Sequence, residues 1–375
     1  MADRPAAPAA ASSARLSASE LSRQVRAGEL TARQLVEDAF DRIAAQDPAL
    51  AAFCTLSPTA LDEAAAIDRR RARGEPLGAL AGVPVGVKDL IPTRGLRSTF
   101  GSPLYAQHVP DEDEVAVERL KAADAIVIGK TNTAEFGYGA TGHNPLFPTT
   151  RNPWNTGLTP GGSSAGSAAA VASGMVAVAL GSDGGGSIRI PAALTGTVGF
   201  KPSFGRIPLY PGCRNPDEPG ASGWESLEHL GPITRCVDDA ALLLSVLAGA
   251  SARDRHSLPA SPIDWLALEP AALERVRLAF TADMGCAVVD PEVAAVAERA
   301  ALALARALGL DLAAAHPAIG DTSQVFEALV ALDTDRAGLR RAARAKGLTF
   351  GGQLGRLLAC DWTADEFTFA VMQRK

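Results

Sequence analysis

Residues 160–191 read PGGSSAGSAAAVASGMVAVALGSDGGGSIRIP, and the organisation of the whole chain turns on them. One serine cluster, Ser163 and Ser164, stands behind Gly161 and Gly162; a second, at Ser187, stands behind Gly184, Gly185 and Gly186. Between them Ala165–Ser173 has the pattern of a helix of small residues ended by Gly174, and Val176–Leu180 that of a short apolar strand. Glycine runs let backbone N–H groups approach a ligand with no Cβ in the way. A serine placed among them has oxyanion donors within reach. The chemistry is expected here.

The flanking sequence supplies a scaffold of alternating elements. The pattern from Ser17 to about Gln46 is helical, and Thr31 with Gln34 forms a capping-box signature ahead of Leu35, Val36, Ala39, Phe40 and Ile43. Ala60–Arg73 reads as a second helix, and Gly82–Lys88 (GVPVGVK) as a strand with irregular ends. Glu114–Ala123 is helical and Ala125–Gly129 is a buried strand, a β-α-β rhythm that predicts an α/β sheet. Four prolines within residues 143–160 make that segment a loop. Further on, Val237–Ala248 and Pro291–Leu308 read as helices and Val276–Phe280 as a strand, with a Pro- and Gly-rich surface loop over 211–223. Residues 1–16 are expected to be a disordered tail, and no linker divides 17–375, which is read as a single domain.

Composition excludes several classes. With 375 residues, 47% hydrophobic, 36 Gly and 25 Pro, the chain has the profile of a turn-rich globular enzyme. A net charge of −6 offers no electrostatic footprint for nucleic acid. The five cysteines are scattered, with no C-x-x-C pair, so neither a zinc site nor a disulfide framework is indicated and a cytoplasmic location is expected. The Ala- and Pro-rich N-terminus lacks the apolar core of a signal peptide, and no apolar run is long enough to suggest a membrane span.

Bare motif matches do not survive their context. Gly162-Ser-Ser164-Ala-Gly166 has the form G-x-S-x-G, but a nucleophile elbow follows a buried strand, and Asn155–Pro160 cannot be one. Gly129-Lys-Thr131 resembles the end of a P-loop, yet Asp124 stands where the upstream glycine is needed; Arg189 likewise breaks a G-x-G-x-x-G reading of the second glycine run. The five histidines have no metal-ligand spacing and read as surface or loop residues. Lys88 differs, because it closes an apolar strand where a charge is costly. It is either a strand-end lysine reaching solvent or a desolvated one with a lowered pKa, able to serve a serine nucleophile as base.

Five blocks together resemble the amidase signature family: GVPVGVKD (82–89), GKTNTAEFGYG (129–139), TRNPWNTGLTPGGSSAGSAAAVASG (150–174), LGSDGGGSIRIPA (180–192) and GFKPSFGRIP (199–208), in order and spacing over roughly residues 20–260. The resemblance implies a central mixed β-sheet covered by helices on both faces, and a Ser-Ser-Lys triad that hydrolyses carboxylic amides. It makes Ser187 the nucleophile, Ser163, 24 residues earlier, the bridging serine, and Lys88 the base. Backbone N–H groups of Gly184, Gly185, Gly186 and Ser187 resemble the family's oxyanion hole. The family holds its bridging serine through a cis peptide, here Gly162–Ser163. Asp183 and Arg189 are expected to brace the glycine loop, SIRIPAAL to begin a helix, and Phe136, Gly137 and Tyr138 to floor the pocket. The loop 211–225 either covers the entrance or is a solvated insertion.

No cofactor or metal is called for by this chemistry; the partner is a small amide substrate, with a homodimer as a family-level expectation. Phe367–Lys375 reads as the middle of a helix, and no counterpart of the family's further C-terminal segment follows, so the chain is expected to be a fragment or a truncated form. Three activities are weighed: a stand-alone amidase, the glutaminase component of a glutamyl-tRNA amidotransferase with partner subunits, and an inactive truncated remnant. The first is favoured on the 211–225 loop and the lack of a glutamine-binding C-terminal segment.

Overall fold

In a computed structural model the described residues are 13–212, 219–220, 224–260, 262–267 and 276–374. They divide into two compact units: Met1–Leu266 with Asp333–Cys360, and Ala267–Leu332 with Asp361–Lys375.

The first unit is built on a six-stranded mixed sheet. Its elements run α1 (Ala18–Ala27), α2 (Ala32–Leu50), β1 (Phe53–Leu56), α3 (Ala60–Ala72), β2 (Pro84–Lys88), α4 (Val115–Ala122), β3 (Ile126–Thr131), α5 (Ala165–Ala172), β4 (Val178–Asp183), α6 (Arg189–Thr195), β5 (Val198–Gly199), β6 (His229–Thr234) and α7 (Val237–Leu247). The strand order is β1-β3-β2-β4-β6-β5. Strands β3, β2 and β4 are mutually parallel, as crossover helices require, while β1, β6 and β5 join antiparallel. The central strands β2, β3 and β4 are buried along their whole length, and near-continuous apolar sequence is what two covered faces demand.

Where the helical pattern from Ser17 was expected to continue to Gln46, two helices stand. Gly28 ends α1 in the left-handed region at φ 78°, and Thr31 restarts the chain with the capping box its spacing predicts. Residues 13–16 of the expected disordered tail are placed: Ser13–Arg15 form a 3-10 turn, and the Ser13 hydroxyl donates to Asp38 at 2.7 Å. Residues 1–12 lie outside the described ones, as does most of the 211–225 loop.

Helix α5, between the two serine clusters, is buried from Ala165 to Val171 and packs on β2, β3, β4 and β6. Only small residues allow that approach. A Cβ on Gly166 would stand 2.2 Å from the Ala52 carbonyl oxygen and 2.3 Å from the Asn132 nitrogen, both backbone atoms that cannot swing away.

The second unit contains a parallel pair, β7 (Leu278–Phe280) and β8 (Leu312–Ala314), connected by α8 (Pro291–Leu308), with α9 (Ser323–Asp333). Asp290 caps α8 and Gly309 ends it at φ 64°. The chain then returns to the first unit for α10 (Arg336–Lys346) and α11 (Gly352–Ala359), and closes with α12 (Ala364–Gln373) in the second. No helix of the described residues is long and apolar enough to cross a membrane.

Candidate active site

Lys88 is the last residue of β2, and β2 lies between two strands, so the side chain leaves the sheet into protein. It is 0% exposed. Its Nζ lies 2.7 Å from Ser163 Oγ, 3.0 Å from Ser182 Oγ and 3.2 Å from the Ser182 carbonyl oxygen. Burial pushes its pKa down to about 7, against the opposing pull of the Glu228 and Asp183 carboxylates. Of the two readings open for Lys88, the geometry selects the desolvated one.

Ser163 follows a cis Gly162–Ser163 peptide and is 1% exposed. Its neighbour Ser164 faces a different task. The Ser164 N–H donates to the Ser187 carbonyl at 3.1 Å, and its hydroxyl both donates to the Ser182 carbonyl at 3.1 Å and accepts from the Ser182 N–H. Ser164 therefore ties the second serine cluster to the first. It is fully buried and followed by helix α5, with loop and no strand before it, which removes the nucleophile-elbow alternative.

The turn after β4 is organised by Asp183, which is fully buried. Its carboxylate accepts from the Gly186 N–H at 2.7 Å, the Ile188 N–H at 3.1 Å, and Arg189 Nε and Nη2 at 2.9 and 2.8 Å. Burial alone would raise this carboxyl; the bidentate guanidinium and the backbone donors outweigh it and hold the pKa at about 2. Asp183 thus uses up the Gly186 N–H, which removes Gly186 from the expected set of oxyanion donors. Among the described residues Gly184, Gly185 and Ser187 donate no backbone hydrogen bond that would compete with a ligand. Helix α6 begins at Arg189, as the SIRIPAAL segment predicts.

Ser187 is half-buried and shares a narrow cavity with Ser163, Ser182, Gly184, Leu90, Gly137, Trp224 and Glu228. The hydroxyls of Ser187 and Ser163 are not hydrogen-bonded to each other, so of the expected relay one link is made and one is open. Of the three residues expected at the pocket floor, Gly137 lines this cavity. The Phe136 ring is instead buried among Phe100, Tyr105 and Phe350, and only its carbonyl reaches the site, accepting from Trp224 Nε1 at 3.4 Å. The Tyr138 ring lies 4.9 Å from the Trp224 ring, one layer back, with its hydroxyl on Thr334.

Trp224, at the end of the 211–225 loop, covers the glycine turn so closely that a Cβ on Gly184 would stand 2.6 Å from its ring. Leu90, Ser182, Trp224 and Glu228 were not singled out from the sequence. Two of them carry a signal there: Ser182, since residues one apart on a strand face opposite ways and Asp183 belongs to the loop, and Trp224, which lies within the 211–225 loop. Among the described residues no group of three His, Cys, Asp or Glu side chains could hold a metal ion.

The family model described as Amidase matches residues 34–339. The chain belongs to the amidase signature family. It is 44% identical over 253 residues to the A-type subunit of the glutamyl-tRNA(Gln) amidotransferase of Carboxydothermus hydrogenoformans, covering 67% of this chain and 50% of that protein. It is 40% identical over 346 residues to the corresponding protein of Anaeromyxobacter sp. (strain K), covering 89% and 68%. Among solved structures it resembles a bacterial aryl acylamidase of the amidase signature family, at 32% identity and a TM-score of 0.84, with 96% of this chain and 75% of that one covered. The peptide amidase of Stenotrophomonas maltophilia follows the same fold, at 29% identity and a TM-score of 0.81, with coverage of 96% and 78%. The chain spans about half the length of the Carboxydothermus relative.

Proposed function

We propose that this amidase-family chain hydrolyses a small carboxylic amide through an acyl-enzyme on Ser187. The observation that carries the reading is a lysine with no exposure whose Nζ stands 2.7 Å from Ser163 Oγ, in the cavity wall that also presents Ser187. A neutral Lys88 has two N–H groups and one lone pair. The two Ser182 oxygens accept the N–H groups, which leaves the lone pair for the Ser163 hydroxyl proton.

In the forward step Lys88 takes the Ser163 proton while Ser163 takes that of Ser187. The Ser187 oxygen attacks the amide carbon, and the carbonyl electron pair moves onto oxygen. Backbone N–H groups of Gly184, Gly185 and Ser187 hold the oxyanion, each worth about 3 kcal/mol in the transition state. The C–N bond then breaks as the proton on Lys88 returns through Ser163 to the leaving nitrogen. Water repeats the sequence on the ester and releases the acid. A base with a pKa of about 7 suits this cycle, since it both accepts and returns a proton near neutrality. The four described cysteines are free thiols, which fits a cytoplasmic setting.

The test is hydroxamate formation from simple aliphatic and aryl amides with hydroxylamine. Ser187→Ala should abolish it, and Lys88→Ala should abolish it at every pH. Turnover surviving in Ser187→Ala would refute the assignment. A second reading, the glutaminase component of a tRNA-dependent amidotransferase, is favoured by the names of the curated relatives. It requires glutaminase activity that rises when partner subunits are added.

A further inference from the structure

The cavity that presents Ser187 is nearly full. The space left in it is about 10 Å³, room for about one water molecule. Pockets that bind small ligands are larger by more than an order of magnitude. An ammonia leaving group needs no more room than that water. The acyl group does, and it has to take the place of atoms that now fill the site. The side chain that fills it therefore decides which acyl groups fit.

The indole of Trp224 is the largest side chain in the cavity, and it lies across it from one wall to the other. At one end, a Cβ on Gly184 would stand 2.6 Å from Cε3 and 3.1 Å from Cδ2 of the ring. At the other end Nε1 donates to the Phe136 carbonyl at 3.4 Å and lies 3.8 Å from where a Cβ on Gly137 would stand. That same point is 3.6 Å from Ser163 Oγ. One ring thus spans the gap between the glycine turn and the bridging serine. With the substrate carbonyl oxygen on the N–H groups of Gly184, Gly185 and Ser187, the acyl chain leaves the same carbon alongside Gly184, where the indole now sits. The facing apolar wall is Leu90, which packs with Phe100, Leu104 and Phe136 in a buried cluster. The Trp224 carbonyl accepts the Leu227 and Glu228 N–H groups at 2.8 and 2.6 Å, which fixes its backbone. The Tyr138 ring stands 4.9 Å behind the indole. The half-buried ring can tilt, but over a short range.

We propose that Trp224 sets the size of the acyl group: between the indole and Leu90 the site takes short aliphatic acyl chains and turns away longer or aromatic ones. The inference rests on the Ser187 reading above and adds to it the class of substrate. It needs contact between the indole and the acyl chain, whatever else the ring touches.

The experiment measures kcat/KM for ammonia release from acetamide, butyramide, hexanamide and benzamide in the wild type, Trp224→Ala, Trp224→Phe and Ser187→Ala. The leaving group is the same throughout, so the series varies the acyl group alone. The wild type should prefer acetamide, with a loss of about tenfold for each methylene that meets the wall. Trp224→Ala opens space on the scale of the cavities of about 150 Å³ that admit a benzene ring. Its hexanamide-to-acetamide and benzamide-to-acetamide ratios should rise by about tenfold or more over the wild type, and those of Trp224→Phe by less. A wild type that handles hexanamide or benzamide as well as acetamide overturns the proposal. So does a rise of less than about threefold in Trp224→Ala, because a merely structural residue lowers turnover of every amide together and leaves the ratios in place. If Trp224→Ala does not fold, Trp224→Phe decides by the same criterion. Turnover that survives Ser187→Ala, or none of any amide in any of the proteins, would instead refute the Ser187 reading itself, which keeps the two failures apart.

Discussion

Asp183→Asn removes one negative charge at a site where four strong donors converge. The replacement amide keeps one acceptor oxygen but turns an NH2 group toward Arg189 Nε or the Ile188 N–H, both of which are donors. A carboxyl held at about 2 against an ordinary 3.8 contributes roughly 2.5 kcal/mol to the native state at neutral pH. The sign follows from the lowered value: the contribution is complete above the unfolded pKa, near 3.8, and is lost as pH falls through about 2. Local hydrogen exchange is the suitable assay, since it reads opening of this turn without assuming that the two units unfold together. At pH 7 the Gly186 and Ile188 amides should exchange about 70-fold faster in the variant, the factor that 2.5 kcal/mol corresponds to. The gap between variant and wild type should narrow as the pH is taken from 5 toward 2. Protection unchanged at pH 7, or a gap independent of pH over that range, would refute the placing of the charge.

Two other substitutions separate structure from chemistry. Ser164→Ala loses the hydroxyl bridge to Ser182 and should cost about 1–2 kcal/mol in a denaturant titration while leaving acyl-enzyme formation within tenfold of the wild type; loss of turnover as deep as that of Ser187→Ala would mean that the serine roles are exchanged. Gly166→Ala drives a methyl group into two backbone atoms at the Ala52–Asn132 edge and should destabilise by about 3 kcal/mol, read as a lower thermal midpoint at unchanged KM in the surviving fraction.

Much of this site was written in local sequence, and the parts that were not have a common cause. Lys88 was legible because a charge at the end of GVPVGVK contradicts its surroundings, and the β2-α4-β3 rhythm announced parallel strands. The strand β6 was not, because Gly231-Pro232 inside His229–Thr234 reads as a break; it is tolerated at the register where Pro232 stands opposite Leu180 and its carbonyl accepts from the Phe200 N–H. Missing β6 also meant missing Glu228, the residue before it. The Gly186 assignment erred for a local reason. A carboxylate three residues before a backbone N–H is the geometry of an Asp cap, so Asp183 takes the donor that a glycine run alone offers to a ligand. Phe136 erred for a distant one, since its ring joins Phe100 and Phe350, the latter more than two hundred residues away in the chain.

The opening stretch holds together as a unit through topology more than through its glycines. Helix α5 carries the chain away from Ser164, and β4 brings it back to Ser182 and on to Ser187, so two clusters 24 residues apart meet at one end of the sheet. Ser164 fixes that meeting at both places, by its N–H to Ser187 and its hydroxyl to Ser182. Strand alternation then divides the labour of β4: Ser182 turns to Lys88 and Asp183 to the Arg189 side of the loop. Lys88 enters from β2, which pairs with β4 in parallel register through Val87 and Leu180, so base and serines approach from the same edge of neighbouring strands. A relay assembled in this way depends on the register of β2 against β4, which a slip of one residue would invert, turning Lys88 out of the site and Asp89 into it.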